Sequence, residues 1–196
     1  MRRFHHPTRP AWPSRLALLA TAALGLVTAV ASLADLPDNP VSLDQVMRGR
    51  ALVATHDCTG CHSHTKDDPG DPHWLAGYVQ GLTNNQPFLI GPAQLKTYAA
   101  NLTPDPGTGL GKFTARQLFN ALRYGLDPAE TPDMVITSTT PGQGNFPAQP
   151  HYLAPPMPWP VWRHMTDAEL WDMIAYLQHG IKPVSNMVPV SYTHLT

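Results

Sequence analysis

The two cysteines of the chain, Cys58 and Cys61, stand three positions apart within HDCTGCHSH (residues 56–64), and His62 follows the second directly. C-x-x-C-H is the attachment signature of a c-type haem. The spacing suits that chemistry. Two thiols add to the two vinyl groups on one porphyrin edge, and two intervening residues supply about the span between them. The histidine next to the second thiol then lies beneath the iron and offers it a nitrogen. Two other chemistries use the same residue types. A thioredoxin-like disulfide needs its C-x-x-C between a strand and a helix, whereas here the pair follows a helical pattern with no βαβ unit around it. A zinc or copper site would add two histidines to the cysteines. His62 and His64 are local, but four ligands within seven residues give poor tetrahedral geometry, so His73 or His151 would have to be borrowed. The residues favour haem over either rival.

An electron-carrying iron commonly takes a second axial ligand, and a His/Met pair raises its potential. Met157 lies in APPMPWP, flanked by Pro155, Pro156 and Pro158. Proline fixes φ, so that loop holds a weak thioether ligand in place before any bond forms. Met134, in a loop after Asp133, is the competitor. Met47 and Met173 fall on helix stripes and read as core, Met165 abuts a helix cap, and Met187 is near the C-terminus. A histidine ligand or an open distal position would instead suit a haem enzyme or gas sensor. Arg50, Arg123 and Arg163 are candidates for pairing with haem propionates.

These residues need a scaffold and a compartment. Arg2, Arg3, Arg9 and Arg15 precede the apolar run LALLATAALGLVTAVASLA (residues 16–34), with no acid before Asp35. A basic region followed by an apolar one is an export signal, and Ala29-Val30-Ala31 offers a cleavage site. The run also approaches the roughly 20 residues that span a bilayer, and the arginines would then stay on the cytoplasmic side. Residues 1–34 therefore read as a signal peptide or an N-terminal membrane anchor, with the remainder periplasmic. Of the 13 Lys plus Arg, four belong to this leader, whereas all 14 Asp plus Glu follow it. The exported part is therefore acidic and carries no basic stripe for nucleic acid.

With 42% apolar residues the chain can build a core, but its 22 prolines force much of it into loops. Three helices are predicted. One covers 43–57 after Ser42 as N-cap, with Leu43, Val46, Met47, Val53 and Ala54 as its apolar stripe. Gly49 lies inside that stripe, where it lets a second helix cross closely. Another covers 115–124, started by a Thr114/Gln117 capping box and stopped by Gly125, with Leu118 and Leu122 facing inward. The last covers 167–179, with a Thr166/Glu169 capping box, a Leu170/Ile174/Leu177 stripe and Gly180 after it. Segments 63–113 and 126–165 read as long ordered loops, punctuated by Trp74, Tyr78, Phe88, Phe146, Tyr152 and Trp159. No strand alternation persists. Loops this long need something to wrap, and a porphyrin plate provides it. The final SYTHLT fits no neighbouring pattern and is set aside from the fold.

The order of helix, C-x-x-C-H, long loop, middle helix, methionine loop and final helix resembles class I cytochromes c. NLTPDPGTGLGKFT (residues 101–114), the following ALRYG, and MPWPVWRHMTDAELWDMIAYLQ are similar to segments of the cytochrome c subunits of bacterial membrane-bound alcohol and aldehyde dehydrogenases. The resemblance covers about residues 42–182. It implies an all-α, cytochrome c-like fold with three main helices around one haem c. It also implies a cytochrome domain at 42–183 and a disordered tail at 184–196. Cys58 and Cys61 would be the covalent haem attachments, and His62 and Met157 the axial ligands of the iron. Gly49 would sit at a crossing near Tyr176, and Pro92 or Pro104 would supply the carbonyl bonded to His62. The implied function is single-electron transfer between a dehydrogenase, whose subunit this could be, and a respiratory acceptor. Those subunits often carry three haem motifs; this chain has one and resembles a single module.

Overall fold

The computed structural model describes residues 40–65, 68–82, 86–91 and 95–189; the leader, Pro92 and SYTHLT lie outside the described residues. Helix α1 (Leu43–Thr55) begins where Ser42 accepts a hydrogen bond from the Gln45 amide at 3.1 Å. A single turn, α2 (Cys58–His62), follows at once and contains the whole C-x-x-C-H motif. Strands β1 (Phe88–Ile90) and β2 (Leu95–Thr97) pair antiparallel, with Phe88 opposite Thr97. Helix α3 (Ala115–Tyr124), the short α4 (Trp159–Trp162) and α5 (Asp167–His179) complete the order. The structure is thus helical with long connections. The small ribbon departs from an all-α reading; three-residue strands are too short to reveal a period of two.

The expected capping boxes form at both α3 and α5, and each satisfies two otherwise orphaned amides. Leu118 and Leu122 of α3 are buried, as are Leu170, Ile174 and Leu177 of α5. Burying each such side chain contributes roughly 1.5–3 kcal/mol. The stripe expected on α1 is rotated from its predicted position. Gly49 and Val53 are buried and Val46 packs against the core, but Leu43 is 74% and Met47 50% exposed, and Ala54 is exposed too. Met47 is therefore a surface residue, whereas Met173 is core as expected. The reason is the crossing with α5. A Cβ on Gly49 would lie 1.8 Å from the Asp172 carbonyl oxygen and 2.9 Å from Tyr176 Cβ, so the helix turns its glycine face inward. Arg48 locks the same crossing with a two-pronged pair to Asp172 at 2.7 and 3.0 Å.

The two glycines expected to end helices do so differently. Gly125 adopts φ +72, the left-handed geometry that spares an L-residue. Gly180 keeps φ −100 and is needed for space instead, since a Cβ there would meet the Tyr176 ring at 2.4 Å and Val46 at 2.8 Å.

The segment NLTPDPGTG ties the long loops together. Asn101 is buried, its Nδ2 donating to the Val184 carbonyl at 2.8 Å and to Thr108 Oγ1 at 3.1 Å. Asp105 accepts from the Thr108 amide and hydroxyl at 2.6 and 2.8 Å. Asn186 donates to the carbonyls of Ala76 and Tyr78 at 2.7 and 2.9 Å. The packed unit therefore runs past residue 183, and the start of the stretch expected as a disordered tail is fastened to the loops that face α2. None of the described helices is long and apolar enough to cross a membrane.

Candidate functional site

Placing C-x-x-C-H on one helical turn puts Cys58 and Cys61, three residues apart, on the same side of that turn. The turn starts abruptly. Asp57 sits at φ 57, in the left-handed region, so the chain leaves α1 with a sharp change of direction. Cys58 is buried and belongs to the main core cluster, Cys61 is half-buried, and no disulfide joins them. Burial pushes the Cys58 thiol up to about 12.

His62 is 6% exposed, and its Nδ1 lies 2.7 Å from the Ala100 carbonyl oxygen. A carbonyl only accepts, so Nδ1 carries the proton and Nε2 keeps its lone pair. Burial lowers the pKa of His62, with the Ala100 carbonyl opposing, so the imidazole is neutral. A neutral, oriented imidazole with a free Nε2 lone pair is the form that binds metal.

The bonding carbonyl belongs to neither proline expected from the resemblance. Pro104 is not the partner, Pro92 lies outside the described residues, and Ala100 takes the role. Its position follows from the loops around it. Gly77 donates to the His62 carbonyl at 2.8 Å, Tyr78 to Ala99 O at 2.9 Å, and Leu102 to Leu75 O at 2.8 Å. Gly77 has φ +77 and no room for a side chain, since a Cβ would lie 2.5 Å from the Ala100 carbonyl. Sequence reasoning missed Ala100 because every residue owns a carbonyl; only the register of these two loops selects one.

Met157 lies just before α4, and it packs, half-buried, against the core cluster that holds Cys58. Its loop is pinned at Trp159, whose ring stacks on Tyr152 (centroids 5.7 Å, planes 7° apart) and covers Gly125 so closely that a Cβ there would meet it at 2.2 Å. Met134, the rival, is 46% exposed in a different loop.

The other candidates go elsewhere. His64 Nδ1 approaches Asp71 at 3.2 Å, His73 approaches the same carboxylate at 3.7 Å, and His151 pairs with Glu130 at 2.7 Å. No group of three or more His, Cys, Asp or Glu among the described residues is placed to hold a metal ion. Arg123 is committed to Asp167 and to the carbonyls of Arg163 and Met165, fastening α3 to the start of α5. Arg50 and Arg163 are exposed.

No family model matches the chain. Among curated proteins it is similar to the cytochrome c subunit of quinone alcohol dehydrogenase from Gluconacetobacter polyoxogenes, 28% identical over 88% of this chain and 29% of that protein. The corresponding subunit of Gluconobacter oxydans is 29% identical over 84% of this chain and 27% of its own length. The gluconate 2-dehydrogenase cytochrome c subunit of Pantoea cypripedii is 29% identical over 83% and 29%. The chain thus resembles cytochrome c subunits of quinone alcohol and gluconate dehydrogenases, and it spans under a third of the length of these relatives.

Proposed function

We propose that this chain is an exported, single-haem c-type cytochrome module. It would carry one electron at a time between a dehydrogenase, as its electron-transfer subunit or free partner, and a respiratory acceptor. The observation that carries the reading is His62, a buried neutral imidazole that spends Nδ1–H on Ala100 and keeps Nε2 free, on the same turn as two thiols. The residues fit the group: Cys58 and Cys61 would hold haem c covalently, His62 would ligate the iron, and Met157 would be the second axial ligand. Haem supplies the reversible one-electron chemistry. The chain holds it, orients the imidazole through Ala100, and shields the site with the apolar side chains around Cys58.

Several finer points belong to the same proposal. The fold is cytochrome c-like, with its domain at 42–183 extended by the fastened residues up to Asn186. The leader directs export to the periplasm, as a cleaved signal or a retained anchor. The relatives' names support a dehydrogenase partner, and the matched share, under a third of their length, fits one module of a larger cytochrome c subunit.

The test uses protein matured in an exporting host. Denatured in acid acetone, the polypeptide is expected to keep its pigment, and the Cys58→Ser/Cys61→Ser variant to lose it. Pigment that floats free from the wild type overturns the reading. The ferric wild type should show the weak far-red band of methionine-ligated iron, and Met157→Ala should lose it and bind carbon monoxide rapidly when reduced. Rapid carbon monoxide binding by the wild type would instead favour the open-site enzyme or sensor.

A further inference from the structure

Residues 126–152, between α3 and the Met157 loop, form a lobe with its own small core of Leu126, Ile136 and Phe146, against which Tyr124 packs edge-on at 6.0 Å. Its neck is closed by the Leu126–Tyr152 bridge and by hydrogen bonds from Asp127 N to His151 O (2.8 Å) and from Leu153 N to Gly125 O (2.7 Å). At its outer turn three consecutive carbonyls are each held by a side chain. Asn120 Nδ2 donates to Met134 O (3.0 Å), Asn145 Nδ2 to Val135 O (2.9 Å), and Tyr124 Oη to Ile136 O (3.1 Å). That backbone is fixed, yet Met134 is 46% and Val135 54% exposed. Two apolar side chains held out on a rigid turn have already met the ordering cost that an interface imposes.

Charge identifies the kind of partner. The lobe contains Asp127, Glu130 and Asp133 and neither lysine nor arginine. Glu130 pairs with His151, while Asp133 is exposed immediately beside Met134. An apolar centre with an acidic rim complements an apolar face ringed by Lys or Arg, and such charges act mainly on the rate of encounter. The lobe also leads directly to the proposed ligand loop, because Tyr152 at its neck stacks on Trp159, two residues after Met157.

We propose that the 126–152 lobe is the docking surface for a redox protein with a lysine- or arginine-rimmed apolar face. The inference rests on the electron-carrier reading. The lobe is joined to the Met157 loop through the Tyr152–Trp159 stack at its neck, and the contact is of the small, transient kind that electron carriers use.

The experiment mixes the reduced, matured protein with oxidised, lysine-rich mitochondrial cytochrome c in a stopped-flow cell, at low and at about 0.15 M ionic strength. The wild-type bimolecular rate should fall as salt rises. Glu130→Gln/Asp133→Asn should slow exchange about threefold or more at low salt and much less at high salt. Met134→Ser/Val135→Ser should slow it at both. Asp44→Asn, which removes an exposed acid from α1, should leave it unchanged. Lobe variants that exchange like the wild type at both salt concentrations overturn the proposal. So does an equal loss in Asp44→Asn, which would assign the effect to overall charge. Failure of the carrier reading is seen separately, as absence of covalent haem absorbance before mixing. Calorimetric titration of the same two proteins then still reads docking: heat of binding lost in the lobe variants supports the surface, and unchanged heat refutes it.

Discussion

Replacing Gly49 by alanine separates two opposing effects. In an open helix the change is favourable by about 1 kcal/mol, because glycine has more backbone freedom to lose. At this position the new Cβ would sit 1.8 Å from the Asp172 carbonyl oxygen, 2.6 Å from its carbon and 2.9 Å from Tyr176 Cβ, where ordinary contact begins at 3.4 Å. Two of those atoms are backbone and the third is the first atom of a side chain, so no rotamer change relieves the clash. The helices α1 and α5 must part, and the Arg48–Asp172 pair at the same crossing is disturbed with them. Overpacking of this kind costs typically ~1–3 kcal/mol and occasionally more. Crowding against backbone belongs at the upper end, so the net loss should be about 2 kcal/mol after the helix gain is subtracted. For a chain of this size that lowers the melting temperature by roughly 4–8 °C. The assay is thermal unfolding of the matured protein followed by circular dichroism, with Ala51→Gly as a control on the exposed side of the same helix. The control should lose about 1 kcal/mol through propensity alone. A Gly49→Ala protein that melts at or above the wild-type temperature would refute the close crossing, because propensity without crowding predicts that outcome.

Gly125→Ala, at φ +72 beneath the Trp159 ring, should destabilise the protein more than Gly81→Ala, at φ +86 with nothing near it. Both carry the left-handed cost of an L-residue, roughly 1–2 kcal/mol, so denaturant midpoints of the pair isolate the contact with Trp159. The Asp105 carboxyl is held below its usual range by the Thr108 hydroxyl, and then by the Thr108 and Gly107 amides. A carboxyl lowered on folding adds stability that is fully present above its unfolded pKa of about 3.9 and disappears as pH falls through the depressed value. Asp105→Asn should therefore lower the denaturant midpoint at pH 7 and flatten its decline on acidification, and an unchanged acid limb would contradict this. Arg48 is 60% exposed, so solvent screens its pair with Asp172. A double-mutant cycle with Arg48→Met and Asp172→Asn should return a favourable coupling that shrinks as salt is added, and a coupling independent of salt would contradict the screened pair.

The residue pattern alone determined the parts that depend on near neighbours. The Thr114/Gln117 and Thr166/Glu169 capping boxes and the Leu170/Ile174/Leu177 stripe are set by residues within a turn or two, and they form where their spacing places them. The C-x-x-C-H turn is local in the same sense, since three residues on one turn need no distant partner to be placed together. What required the folded chain were choices among equivalent groups far apart in sequence. Met47 and Val46 are both apolar neighbours on α1, and only the contact of Gly49 with Asp172 and Tyr176 decides which one faces inward. Ala100 bonds His62 because the loop at residues 75–78 pairs with residues 99–102, a register that no residue type announces. The rigid display of Met134 and Val135 likewise depends on Asn120, Tyr124 and Asn145 reaching three carbonyls of one turn. Side-chain chemistry is written residue by residue, but the backbone offers the same amide and carbonyl everywhere, so only tertiary packing selects which of them hold the site.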